Sequence, residues 1–322
     1  MQIWAMPWLP AILAFLVTGL SLAVLRRSKL TSLMADIPNE RSLHSRIVPR
    51  IGGTGMLAGL AVAYFVLPAT AHPVTLAAAG YVVLYAVSVV DDIRSLPVLA
   101  RLAAHLAVAT ASCWTLASSV WVGIIAVPLI VWAINLYNFM DGSDGLAGGM
   151  TAFGFGTYAI GAVLADNILF AVLCAAVAAS ALAFLLFNFH PASLFLGDSG
   201  SVPLGYLAAV LGWYGVSEDL WPPTFPILAF FPFLFDASFT LLRRVLRGER
   251  FWRPHREHLY QLAVRQGIGH REVALGGYAL MCVFSVIAIA TIDTGPRIQF
   301  AIVGVAFFLS VLATTWHGFR NY

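Results

Sequence analysis

Apolar runs follow one another almost without interruption from residue 4 to residue 315. Each is roughly 17 to 22 residues long, the length at which a helix crosses about 30 Å of hydrocarbon. A chain built this way has few options, because inside a bilayer every backbone N–H and C=O must find a partner within the chain, and helices achieve this segment by segment. Composition points the same way. Hydrophobic residues make up 60% and charged residues 10% of the 322, against about 25% charged in a soluble domain, and the mean hydropathy is +0.87. An ordinary soluble domain is excluded, and too little sequence remains between the runs to build one. The expected fold is all-α, a polytopic integral membrane protein forming a single domain over residues 1–322.

Eleven spans are expected, near residues 4–25, 53–69, 74–90, 99–116, 119–137, 148–165, 168–187, 202–217, 223–242, 273–291 and 297–315. The first reads as a retained helix, since Arg26, Arg27 and Lys29 follow it and neither a basic leader nor a small-residue cleavage site accompanies it. With the N-terminus outside, 17 of the 18 basic residues lie in or beside cytoplasmic segments, Arg297 being the exception. The same threading puts the C-terminus in the cytoplasm.

The net charge of +3 therefore follows from topology and anionic lipid head groups, and gives no reason to expect nucleic acid as a partner. Cys113, Cys174 and Cys282 fall within spans at no metal-ligand spacing and read as buried apolar residues. No fixed-period repeat or low-complexity linker divides the chain.

The acidic residues carry the functional signal. Carboxylates beside lipid are costly, so a set of them at the ends of spans on one face points to a metal or a phosphate substrate. VVDDIRSLP places Asp91 and Asp92 side by side, a repulsive pair that a cation or a shared proton would relieve. In NLYNFMDGSDGLAGG, Asn138, Asp141 and Asp144 recur every third residue and would share one side of a helical turn. FNFHPASLFLGDSGS adds Asn188, Phe195 and Asp198, with Gly197 and Gly200 flanking the acid and Phe195 suited to stacking on a base. The first loop offers Asp36, Asn39, Arg41, His44, Arg46 and Arg50 ahead of Gly52 and Gly53, where backbone N–H groups can approach a phosphate. The longest loop, RRVLRGERFWRPHREHLYQLAVRQGIGHRE, is dense in arginine and histidine and suits a diphosphate or a membrane surface. Oxygen ligands without sulfur or imidazole suit magnesium, which takes only one or two protein ligands.

The ordered set HSRxxPRxGG, VDDIR, NFMDGSDGLAGG, FNFHPAxLFLGDSGS and PHREHLYQ resembles the polyprenyl-phosphate N-acetylhexosamine-1-phosphate transferase superfamily, glycosyltransferase family 4, over about residues 36–261. PHREHLYQ, in place of a run of three histidines, is more similar to the WecA- and WbpL-like branch than to the MraY-like one. The resemblance implies a Mg2+-dependent enzyme of the bacterial inner membrane, with Mn2+ as an alternative ion. Such an enzyme transfers N-acetylhexosamine 1-phosphate from a UDP-sugar to undecaprenyl phosphate, releases UMP and starts a lipid-linked glycan. Carried over by position, Asp198 and Asn138 are implied as metal ligands. Asp91, Asp92, His255 and His258 are implied as catalytic, and Arg46, Arg50, Asp141, Asp144, Asn188, Phe195 and Arg256 as substrate-binding. Besides the lipid bilayer, the UDP-N-acetylhexosamine and the lipid phosphate, a homodimer is allowed by the Gly-rich spans. Two alternatives stand beside this one: an MraY-like transferase of a pentapeptide-bearing sugar, and a cation-coupled transporter, for which Asp236 is the acid set deep enough within a span.

Overall fold

The computed structural model describes residues 6–38, 43, 46–68, 72–116, 119–250 and 255–316. Asn39, Arg41, His44, Arg253 and Arg320, which entered the reading of loops and charge, lie outside the described residues. The chain begins with α1 (Leu9–Leu25) and the single turn α2 (Leu30–Leu33). A two-residue antiparallel ladder follows, β1 (Ala35–Asp36) with β2 (Val48–Pro49), pairing Ala35 with Pro49 and Asp36 with Val48. Next come α3 (Gly52–Val66), α4 (His72–Arg94), α5 (Val98–Leu116), α6 (Val120–Phe139), α7 (Leu146–Leu164) and α8 (Ile168–Asn188). The remainder is α9 (Asp198–Ser217), α10 (Thr224–Ala229), α11 (Phe231–Leu246), α12 (Leu259–Arg265), α13 (His270–Ala290) and α14 (Pro296–Trp316).

The fold is thus all-α and polytopic, and each of the eleven expected spans overlaps a helix. Among the described residues seven helices, α4 to α8 with α13 and α14, are long and apolar enough to cross a membrane, while α1 and α3 are apolar but shorter. The expected eighth span, α9, opens with the polar turn DSGS, and the ninth is divided at Phe230 into α10 and α11. Outward-facing side chains are the kind a bilayer solvates: Trp114 is 88% and Phe65 82% exposed, and α14 presents Phe300 and Phe308. In water such a surface would drive aggregation.

Buried along most of its length, α9 packs against α4 and α6 and also touches α3, α5 and α7. Small residues allow this, as van der Waals contact between helices in lipid requires. A Cβ on Gly205 would sit 2.7 Å from the Ala133 carbonyl oxygen of α6, and one on Gly53 would run into the Ser199–Gly200 backbone of α9. At the same end, Gly52 and Gly53 N–H donate to the Phe195 and Leu196 carbonyls (2.9 and 3.0 Å), while Phe195 N–H donates to the Pro49 carbonyl (2.9 Å). The first orphan N–H groups of α3 are satisfied by the loop that leads into α9. That pairing locks the α3 and α9 N-termini together, beside the C-terminal ends of α4, α6 and α8.

Candidate active site

Asp198 is the first residue of α9, where unpaired N–H groups and the helix dipole favour negative charge. Its Oδ1 accepts from Asn138 Nδ2 (2.8 Å), at the last turn of α6, and Asn138 Nδ2 also donates to Ser201 Oγ (3.0 Å). Asp92 caps the same helix, its side chain 1% exposed, with Oδ2 accepting from Ser199 N–H (3.1 Å) and Oδ1 3.9 Å from Arg50 Nη1. Arg50 in turn donates to Asp36 Oδ1 (2.6 Å). Burial opposes the charge on Arg50, yet its bond to Asp36 and the field of Asp36, Asp92 and Asp198 hold its pKa above the ordinary value.

Asp91 turns the other way. It accepts from Leu96 N–H (2.6 Å) and Arg101 Nη1 (2.9 Å), and Arg101 lies 3.7 Å from Asp198 Oδ2. The two carboxylates of the Asp91–Asp92 dipeptide thus face different partners. Each carboxylate has its own arginine and its own backbone donor, because neighbours on a helix point about 100° apart. Arg101 carried no role in the sequence reading, although it follows Asp91 by ten residues across a tight turn.

A cleft of about 270 Å³ opens at this end of the bundle. Of the expected residues, Arg50, Asp141, Asp144, Asn188, Phe195 and Asp198 line it, joined by Asp36, Gln261 and His270. The Asp141 carboxyl is held well above the usual carboxylate range, first by burial and next by the Asp198 and Asp92 charges. Asn138, Asp141 and Asp144 do not share one helical face. The α6 helix ends at Phe139, Asp141 follows in a loop, and Asp144, buried in the cleft wall, accepts from His190 Nδ1 (2.6 Å) and Ala192 N–H (3.1 Å). Asn188 is buried and ties two loops, accepting from Gly145 N–H (2.9 Å) and donating to the Leu194 carbonyl (2.9 Å). Gly145 has φ +76°, so the turn needs a residue that tolerates the left-handed region.

His255, Arg256 and His258 lie outside the cleft lining, as do Arg46, which is exposed, Asp91, Asp92 and Asn138. His258 is 3% exposed, stacks on Phe139 with ring centroids 5.9 Å apart, and places Nδ1 3.4 Å from Asp236 Oδ1. His255 packs on His258, and burial, then His258, pulls its pKa down to about 4, so the ring is neutral at pH 7. From the same segment Gln261 reaches the cleft, and Tyr260 Oη donates to the Phe139 carbonyl (3.0 Å). The loop arginines are partly engaged within the protein: Arg244 pairs with Glu257 and Glu249, and Arg247 lies 3.6 Å from Glu257. Asp236 accepts from Leu259 N–H (2.8 Å) and Tyr260 N–H (3.1 Å). That is a capping task for α12, and it removes the motive for reading Asp236 as a transport site.

Among the described residues no three acidic, histidine or cysteine side chains converge into a preformed metal cage. The donors nonetheless suit a hard cation. Asp198 and Asp141 bring carboxyl oxygens to one polar cleft, and magnesium leaves most of its coordination to water and phosphate oxygens. Asn138 turns its NH2 toward Asp198, so its oxygen does not join that carboxylate in this amide orientation.

Fold and site together define a class, an integral membrane protein with a carboxylate- and arginine-lined cleft at one end of a helical bundle. Within that class the chain matches the family model of glycosyl transferase family 4 over residues 74–216. It is 29% identical over 300 residues to a probable undecaprenyl-phosphate N-acetylglucosaminyl 1-phosphate transferase of Bacillus subtilis (strain 168), covering 86% of this chain and 84% of that one. It is 28% identical over 355 residues to a decaprenyl-phosphate N-acetylglucosaminephosphotransferase of Mycobacterium leprae (strain TN), covering 94% and 87%. A phospho-N-acetylmuramoyl-pentapeptide-transferase of Geobacillus thermodenitrificans (strain NG80-2) is 43% identical over 83 residues, 26% of each chain.

Proposed function

We propose that this protein transfers N-acetylhexosamine 1-phosphate, with N-acetylglucosamine the foremost sugar, from a UDP-sugar to undecaprenyl phosphate at the cytoplasmic face of the bacterial inner membrane. The carrying observation is the cleft where Asp141 and Asp198 meet Arg50 at the end of the bundle, in a chain that aligns over most of its length with relatives named as polyprenyl-phosphate N-acetylglucosamine phosphotransferases. A lipid phosphate reaches such a cleft laterally from the bilayer and a nucleotide reaches it from water.

An oxygen of the lipid phosphate attacks the sugar-bearing phosphorus of the donor, the bond to the UMP phosphate breaks, and UMP leaves with the electron pair. A phosphate monoester has a second pKa of about 6, so the attacking oxygen is largely ionised at neutral pH without a strong base. The residues have instead to bring two anions together. Arg50 and Arg101 supply positive charge, and Asp36 and Asp91 hold them in place. Asp198 and Asp141 would hold Mg2+, which when bound neutralises diphosphate charge. Phe195 offers an aromatic face to the base, and buried His258, with His255 packed on it, backs the end of α6 that carries Asn138.

Purified protein supplied with UDP-N-acetylglucosamine, undecaprenyl phosphate and Mg2+ should release UMP, and chelation should stop it. Asp198→Ala should lower kcat by at least about a hundredfold, the cost of removing a group that stabilises transition-state charge. Wild-type turnover in that variant would overturn the site assignment. A panel of competing UDP-sugars then ranks N-acetylglucosamine against other amino sugars and against the pentapeptide-bearing donor.

A further inference from the structure

Two histidines that the motif reading left without a role sit at the rim of the cleft. His190, in the loop after α8, lies 2.6 Å through Nδ1 from Asp144 Oδ2; a carboxylate accepts, so Nδ1 carries the proton. His270 opens α13, with Nε2 3.2 Å from the Leu43 carbonyl oxygen, which can only accept, so Nε2 is protonated. In the neutral ring its Nδ1 then accepts from Ser143 Oγ (2.9 Å). The two imidazoles stack, with centroids 5.6 Å apart and planes 11° from parallel. One ring pair thereby connects four segments: the stretch before β2, the α6–α7 turn, the α8–α9 loop and the start of α13. Leu43, Ser143, Asp144 and His270 all line the cleft.

Resting on the reading that the donor nucleotide occupies this cleft, we propose that His190 and His270 are positioning residues for the nucleotide: a stacked bracket that fixes Ser143 and Asp144 on the cleft wall and so sets donor affinity. Three observations support a positioning task rather than mere packing. Both rings bond polar groups of the cleft wall, both bonds to Asp144 fall on one oxygen, and the acids at the α9 N-terminus are untouched by either ring. Loss of the bracket should therefore act on donor binding and leave the phosphate-transfer groups in place.

The test is a set of His270 variants of the full chain, assayed for UMP release with donor and lipid acceptor varied separately. His270→Phe keeps a ring for stacking and loses both hydrogen bonds. The donor KM should rise about tenfold, the worth of one or two hydrogen bonds, with kcat and the acceptor KM little changed. His270→Gln keeps a donor for the Leu43 carbonyl and should recover part of that loss. Ser143→Ala removes one bond without touching either ring, and should raise the donor KM even if His270→Phe fails to fold. An unchanged donor KM in an active enzyme, or equal losses in kcat and in both KM values, would overturn the bracket while leaving the transferase reading intact. Absence of UMP release from the wild type would instead overturn that reading.

Discussion

Asp91 and Asp92 show how a single residue step on a helix separates two tasks. Asp92 faces the α9 N-terminus and Asp91 faces Arg101, which reaches toward Asp198 from the other side. If Asp91 acts by holding Arg101, the two belong to one unit, and units are non-additive under mutation. Asp91→Asn and Arg101→Ala should each lower kcat by about a hundredfold, and the double variant should be no worse than the poorer single. Losses in kcat that multiply in this double-mutant cycle would show Asp91 working independently. The acids themselves were legible as residues, because carboxylates at span ends are costly and thus informative. Their partners were not. Gln261 closes the PHREHLYQ motif without having drawn a role, while Arg101 and His270 carry no spacing signal, since each meets the site by a crossing of helices and not by its place in a motif.

At the scale of elements, the site depends on two helix N-termini held against each other. The HSRxxPRxGG glycines read as a phosphate approach; in the structure Gly53 lets α3 abut the α9 backbone at Ser199 and Gly200. A side chain there meets main chain, which cannot swing aside. Gly53→Val should cost on the order of 1–3 kcal/mol, the range for overpacking, seen as a lower melting temperature in detergent. Gly156→Ala on α7, where a Cβ would meet nothing within 4 Å, should leave that temperature unchanged or slightly higher. Equal melting temperatures for the two variants would remove the close approach from the account. The α9 helix also explains why an apolarity reading sees the eighth span imperfectly: its polar first turn serves the site and its buried body is shielded by α4 and α6.

For the whole molecule, the proposed orientation, argued from the basic asymmetry and the shared end of the carboxylates, turns the cleft toward the cytoplasm. In a background lacking the native cysteines, an impermeant maleimide should label Glu218→Cys, exposed at the far end of α9, in intact cells. Arg46→Cys, exposed near the cleft, should label only after the inner membrane is opened. The reverse pattern would invert the proposed topology and place the cleft away from cytoplasmic nucleotide. Sequence by itself determined the class of molecule, because the bilayer leaves one way to pair a backbone and the lengths of the apolar runs state it openly. It also determined which polar residues are costly enough to carry function. Tertiary structure alone decided which oxygen faces which donor. Asn138 meets Asp198 across 60 residues and Ser199 meets Asp92 across 107; helical periodicity sets the direction of a side chain on its own helix, and only the packing of distant helices sets what stands opposite it.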